Sequence, residues 1–72
     1  MKSYSSREII QILKANKWYL AGIEGDHYQF KHPTRKGKTT VRHPVKDISP
    51  QEIKSISKQS GLRFQPDANK KR

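Results

Sequence analysis

Gly25-Asp26 stands between two segments rich in bulky and β-branched residues, 18–24 and 27–32, and this pair restricts the possible folds more than any other feature of the chain. A Gly-X pair suits the two-residue type II′ turn of a β-hairpin, because glycine takes the positive φ of the first turn position without strain. The resulting hairpin sets Glu24 opposite His27, Ile23 opposite Tyr28 and Ala21 opposite Phe30. Side chains alternate along a strand, so Tyr19, Ala21, Ile23, Tyr28 and Phe30 share one face while His27, Gln29 and Lys31 take the other, wetter one. Trp18 and Leu20 have the parity of the polar face in this register; a bulge, or a wrap around the end of the preceding helix, would reconcile them.

Two local signals bracket the hairpin with helices. Ser5 precedes Glu8 at the capping-box spacing, so a first helix begins near Ser6 and ends near Asn16, with Ile9, Ile10, Leu13 and Ala15 on its apolar side. Ser49-Pro50-Gln51-Glu52 repeats the spacing with proline at the first helical position, where its missing N–H is harmless. Ile53, Ile56 and Leu62 supply the apolar side of this second helix, and Gly61 stops it. Between hairpin and second helix, Thr39-Thr40-Val41-Arg42-His43 has the β-branched content of a third strand. Aligning Phe30 with Val41 on the buried side brings His43 beside Tyr28 there, on the face opposite His27. The element order is α-β-β-β-α. It describes an α+β fold with a three-stranded antiparallel sheet and both helices on one face, an architecture that double-stranded-RNA-binding domains also use. A single domain over residues 1–62 and a basic tail over 63–72 complete the expected organisation.

Lys and Arg number 16 against 6 Asp and Glu, a formal net charge of +10 spread along the chain, so the surface carries a positive field whatever the fold. Nucleic acid is the best-fitting partner because phosphate contacts supply most sequence-independent affinity. An acidic protein is equally compatible with charge alone. A membrane surface fits less well, since no long stretch joins a basic face to a continuous apolar one. At 72 residues the core is small and a large enclosed active site is excluded. The absence of cysteine removes a disulfide framework and thiolate metal sites and suits a reducing cytosol. Without an apolar signal core or a run long enough to span a bilayer, the expected location is the cytoplasm.

Four segments follow one another in an order that is informative as a set: Leu13-Lys14-Ala15-Asn16-Lys17-Trp18, then Gly25-Asp26-His27-Tyr28-Gln29-Phe30-Lys31-His32-Pro33, then Thr39-Thr40-Val41-Arg42-His43-Pro44, then Ile53-Lys54-Ser55-Ile56-Ser57-Lys58-Gln59-Ser60-Gly61-Leu62. Through them the chain resembles, over most of its length, the HicA-type toxins of bacterial and archaeal toxin–antitoxin systems. The resemblance implies a small mRNA endoribonuclease that inhibits translation until a HicB-type antitoxin covers it. The family pattern of glycine, small polar residue and catalytic histidine falls on Gly25, Asp26 and His27. Asp26 stands where serine is usual, Arg42 where proline is frequent, and Ser49-Pro50-Gln51-Glu52 replaces a common Pro-Gly-Thr helix start.

RNA is cleaved when its own 2′-hydroxyl attacks the adjacent phosphate, so a catalyst needs a proton acceptor, a proton donor and charge stabilisation, with no metal or other cofactor required. Imidazole, with an ordinary pKa of about 6.5, suits the first task. In this scheme His27 is the general base, Glu24 across the hairpin or Asp26 beside it orients the ring, and Lys31 stabilises the phosphorane charge. Backbone contacts to RNA are expected from Lys31, Arg35, Lys36, Lys38, Arg42 and His43. His32, before Pro33 at a strand end, is expected to cap or pack, and His43 to fill the sheet edge or bind phosphate. A zinc site made of the three histidines is disfavoured because alternation sends His27 and His32 to opposite faces. Two other readings fit the same residues: a non-catalytic RNA-binding module that uses His27 for contact alone, and a basic subunit that meets an acidic protein.

Overall fold

The computed structural model describes residues 4–64. Their order is α1 (Ser6–Ala15), β1 (Tyr19–Glu24), β2 (His27–Lys31), β3 (Thr39–Arg42) and α2 (Pro50–Ser60), with one antiparallel sheet in the order β1-β2-β3. The expected α+β architecture is thus present. Ile9 and Leu13 of α1, Ile53 and Ile56 of α2, and Phe30 and Val41 of the sheet bury one another in a single core that also takes in Trp18, Ile48 and Phe64. Among the described residues no helix is long and apolar enough to cross a membrane.

Both helix starts form as their local sequences dictate. At α1 the Ser5 hydroxyl accepts the Glu8 N–H (3.2 Å) and the Glu8 carboxylate accepts the Ser5 N–H (3.0 Å), closing the capping box. At α2 the Ser49 hydroxyl accepts the Glu52 N–H, Pro50 opens the helix, and Gly61 ends it in the left-handed region at φ 76°. The helix stops at Ser60, so Leu62 reaches the core from beyond it. On α1 the apolar side differs from the expected one: Ala15 is exposed, and Ile12 packs against the core.

The end of α1 sets the approach to the sheet. The Lys17 N–H donates to the Lys14 carbonyl (3.1 Å) and the Trp18 N–H to the Leu13 carbonyl (2.9 Å), the two bonds of a Schellman ending. Lys17 holds the left-handed position there, at φ 74°. A β-carbon in that region costs about 1–2 kcal/mol, partly offset by the larger unfolded-state entropy of glycine. Lys17→Gly should therefore raise unfolding free energy by roughly 0.5–1 kcal/mol, read from urea denaturation; a loss of stability would contradict this account of the turn.

The hairpin turn carries a positive φ at Gly25 (61°) and not at Asp26, as a type II′ turn requires. Glu24 faces His27 and Ile23 faces Tyr28, as expected, but the Ala21–Phe30 pair does not form. The register shifts between Leu20 and Gly22, so that Leu20 faces Phe30 and Tyr19 faces Lys31. The bulge corrects the parity of the strand's first half: Leu20 and Trp18 move to the helix side, where Trp18 is buried, and Tyr19 moves to the open side. Phe30 pairs with Thr39 rather than Val41, and Val41 pairs with Tyr28. That two-residue slip leaves each side chain on its expected face.

Both helices pack chiefly against β3, which leaves β1 as a thinly covered edge. Leu20 and Ile23 are consequently 41% and 51% exposed, although Ile23 was expected on the buried face; Tyr19, also expected there, is 50% exposed on the open side to which the bulge moves it. The other edge is closed by α2, where the Gln59 side chain accepts the Thr40 N–H (3.0 Å). Phe64 is buried, with its ring edge-on to Tyr4 at 5.7 Å between centroids, so the packed chain extends two residues into the expected tail. The remainder of that tail, 65–72, lies outside the described residues.

Candidate active site

The alternation of β2 and its pairing partners decide what surrounds His27. On the sheet face away from the helices, His27 lies between Glu24 of β1 and Arg42 of β3, Gln29 lies between Gly22 and Thr40, and Lys31 lies beside Tyr19. The His27 imidazole is 56% exposed, and its Nδ1 stands 3.8 Å from Asp26 Oδ1. Of the two carboxylates expected to orient the ring, Asp26 is thus the near one. Glu24 instead accepts the Gln29 amide N–H through Oε1 (3.3 Å), while Gln29 Oε1 accepts from the Lys38 ammonium (3.2 Å). Gln29, at the centre of this face, ties the loop after β2 to the hairpin end where His27 sits.

The expected cations divide into two groups. Lys31, Lys38 and Arg35 line an open cleft of about 490 Å³ together with His32 and Gly37, and Lys36 is exposed on the same loop. Arg35 also rests on the end of α2, since a Cβ on Gly61 would meet its guanidinium carbon at 2.8 Å; a cation there suits the negative end of the helix dipole. Arg42 shares the open face with His27 by register, yet its Nε lies 3.5 Å from Glu52 Oε2, which draws the guanidinium around the sheet edge toward α2.

The other two histidines are held elsewhere. The Nδ1 of His32 accepts the Thr34 N–H (3.1 Å), so its Nε2 carries the proton donated to the Asn16 carbonyl (3.1 Å), and the ring packs edge-on against Trp18. Its capping and packing role is the expected one. His43 stacks edge-on against Tyr28 at 4.9 Å, on the helix side of the sheet, with its Nδ1 2.6 Å from Ser6 Oγ. Its backbone N–H donates to the Asp26 carbonyl (2.9 Å), so His43 and His27 occupy opposite faces at the same end of the sheet. Among the described residues no group of three or more His, Asp or Glu side chains could hold a metal ion.

Two members of this surface were not legible as such. Tyr19 joins Lys31 on the open face because of the bulge, and the misfit of Trp18 and Leu20 was the only signal for it. Gln29 carried no signal beyond its parity. The surface as built offers an exposed imidazole, a carboxylate beside it, Lys31 and Lys38 farther along the face and one aromatic side chain: the elements for binding a phosphodiester backbone and for moving a proton near it.

In the comparison with known families, the family model of the HicA toxin of bacterial toxin–antitoxin systems matches residues 6–62. None of the curated proteins compared matches the chain.

Proposed function

The chain belongs to the HicA toxin family of bacterial toxin–antitoxin systems, and from that membership we propose that it is a metal-independent endoribonuclease that cleaves mRNA with His27 as general base. It is the toxin of such a pair, and an antitoxin is its partner. The observation that carries the reading is the setting of His27. It is an exposed imidazole at the start of β2, with the Asp26 carboxylate 3.8 Å away and lysines on the same open face.

In the proposed mechanism the RNA backbone lies along the open face, held by Lys31 and Lys38, with Arg35, Lys36 and Arg42 adding positive potential at its borders. Neutral His27 takes the proton of the 2′-hydroxyl as that oxygen attacks the neighbouring phosphorus; the bond from phosphorus to the 5′-oxygen breaks, leaving a 2′,3′-cyclic phosphate, and the departing 5′-oxygen takes a proton from solvent water. Asp26 stabilises the imidazolium that forms, the part a carboxylate plays beside a catalytic histidine elsewhere. Lys31 offsets the charge that builds on the phosphorane. The partner would be a HicB-type antitoxin whose acidic surface covers this face, and the cytoplasm is where the toxin would meet its substrate.

Induced expression in cells tests the reading, with growth and bulk mRNA integrity followed for the unsubstituted chain and for His27→Ala, each verified as folded. Growth arrest with loss of mRNA in the unsubstituted chain alone is the expected result. Equal toxicity of the two would remove His27 from the mechanism, and equal harmlessness would favour a binding module without catalysis.

A further inference from the structure

A second cleft, of about 560 Å³, opens on the opposite side of the sheet end from His27, lined by Ser6, Arg7, His43 and Lys46 among others and by no carboxylate. A hydrogen bond to Ser6 holds the histidine in it. Ser6 is buried; its N–H donates to the Val45 carbonyl (2.8 Å), and its hydroxyl oxygen accepts the Val45 N–H (2.8 Å). Among the described residues the acceptor within reach of the single Ser6 hydroxyl proton is His43 Nδ1, at 2.6 Å. With the Ser6 hydroxyl as the donor of that bond, neutral His43 carries its own proton on Nε2, as the imidazolium also does. In either state Nε2 is a donor, and it makes no hydrogen bond to the described residues. A histidine held in this way cannot serve as a base through Nε2, but it can donate to an anion.

We propose that His43, Arg7 and Lys46 form a second phosphate-binding subsite for the RNA backbone, across the sheet rim from His27. The inference rests on the RNA-cleaving reading above and adds to it a path for the strand. The backbone N–H of His43, bonded to the Asp26 carbonyl, makes the cleft and the His27 face two sides of one rim, so a strand that crosses the open face continues over the hairpin end into the cleft. The cleft offers the strand one imidazole N–H donor and two exposed cations, a combination suited to the non-bridging oxygens of a phosphodiester.

Fluorescence anisotropy with a single-stranded RNA oligonucleotide tests this on the full chain, with His27→Ala as background so that the RNA stays intact. Adding Arg7→Gln and Lys46→Gln should weaken binding roughly tenfold near 0.1 M salt and reduce the slope of log K against log salt by about 1.4, two contacts at ~0.7 each. Unchanged binding and slope overturn the subsite and leave the RNA reading standing. Failure of the background protein itself to bind the RNA removes that reading and the subsite together. Loss of binding to polyglutamate with RNA binding intact assigns the cleft to a protein partner and overturns the proposal. Both substituted side chains are exposed, so the fold should persist; if the double substitution melts, each single one should show half the slope change.

Discussion

His27→Ala should lower the rate at which the purified protein cleaves RNA by at least about a hundredfold, with RNA affinity and thermal stability close to unchanged. General base catalysis by a positioned side chain contributes roughly 10²–10⁴ in rate, about 3–5 kcal/mol of barrier. The side chain is 56% exposed, so its removal leaves no cavity and strands no buried partner. Any large effect on rate then belongs to chemistry and not to folding. His32 supplies the contrast. It bonds Thr34 and Asn16 and packs on Trp18, so His32→Ala should lower the melting temperature and spare most of the cleavage rate per folded molecule. A reversal of these two outcomes would assign the chemistry to the wrong histidine.

The second large effect falls on the core. Phe30 is 1% exposed and stands where β2 meets Ile9 and Leu13 of α1 and Ile53 and Ile56 of α2 in one cluster. Truncating a buried phenylalanine costs about 3–5 kcal/mol through lost burial and the cavity left behind. A domain of this size has a total stability of roughly 5–10 kcal/mol, so Phe30→Ala should leave little of the folded state at 37 °C. Ile23→Ala, on the thinly covered edge strand, should cost under about 1 kcal/mol, because half of that side chain is already in water. Urea titrations of the two variants measure the difference. Equal losses would mean that the helices cover β1 as closely as β3, with Ile23 packed inside.

How far the fold could be read from the sequence follows from how local each signal is. Ser5 with Glu8, and Ser49 with Pro50 and Glu52, act within one helical turn, and both helices start where those residues place them. Gly25 sets the hairpin turn through its own φ. The bulge after Leu20 is a different matter. It depends on Trp18 following α1 into the core while Tyr28 and Phe30 hold the other strand, a conflict between distant contacts that alternation alone registers only as two residues of the wrong parity. Likewise the exposure of Ile23 depends on both helices packing toward β3, which no pattern within β1 encodes.

The candidate site divides along the same line. His27 was legible from the glycine-turn-histidine pattern and from strand alternation, and its neighbours Glu24 and Lys31 follow from pairing and parity. The bond between Ser6 and His43 spans 37 positions, and the ion pair of Arg42 with Glu52 joins a strand to a helix cap. Neither has a local signature, and together they decide which of the expected cations and histidines share a surface with His27.

The central claim, that His27 promotes attack by the RNA's own 2′-hydroxyl without a metal, is tested most directly with one oligonucleotide in two forms. The purified protein is incubated in excess EDTA with an RNA that it cleaves, and with the same RNA carrying a single 2′-deoxy nucleotide at the cleaved position. Cleavage of the first, leaving a 2′,3′-cyclic phosphate, and none at the substituted position of the second is the predicted result. Cleavage that persists at the deoxy position, or that stops for both forms when EDTA is added, would contradict the mechanism.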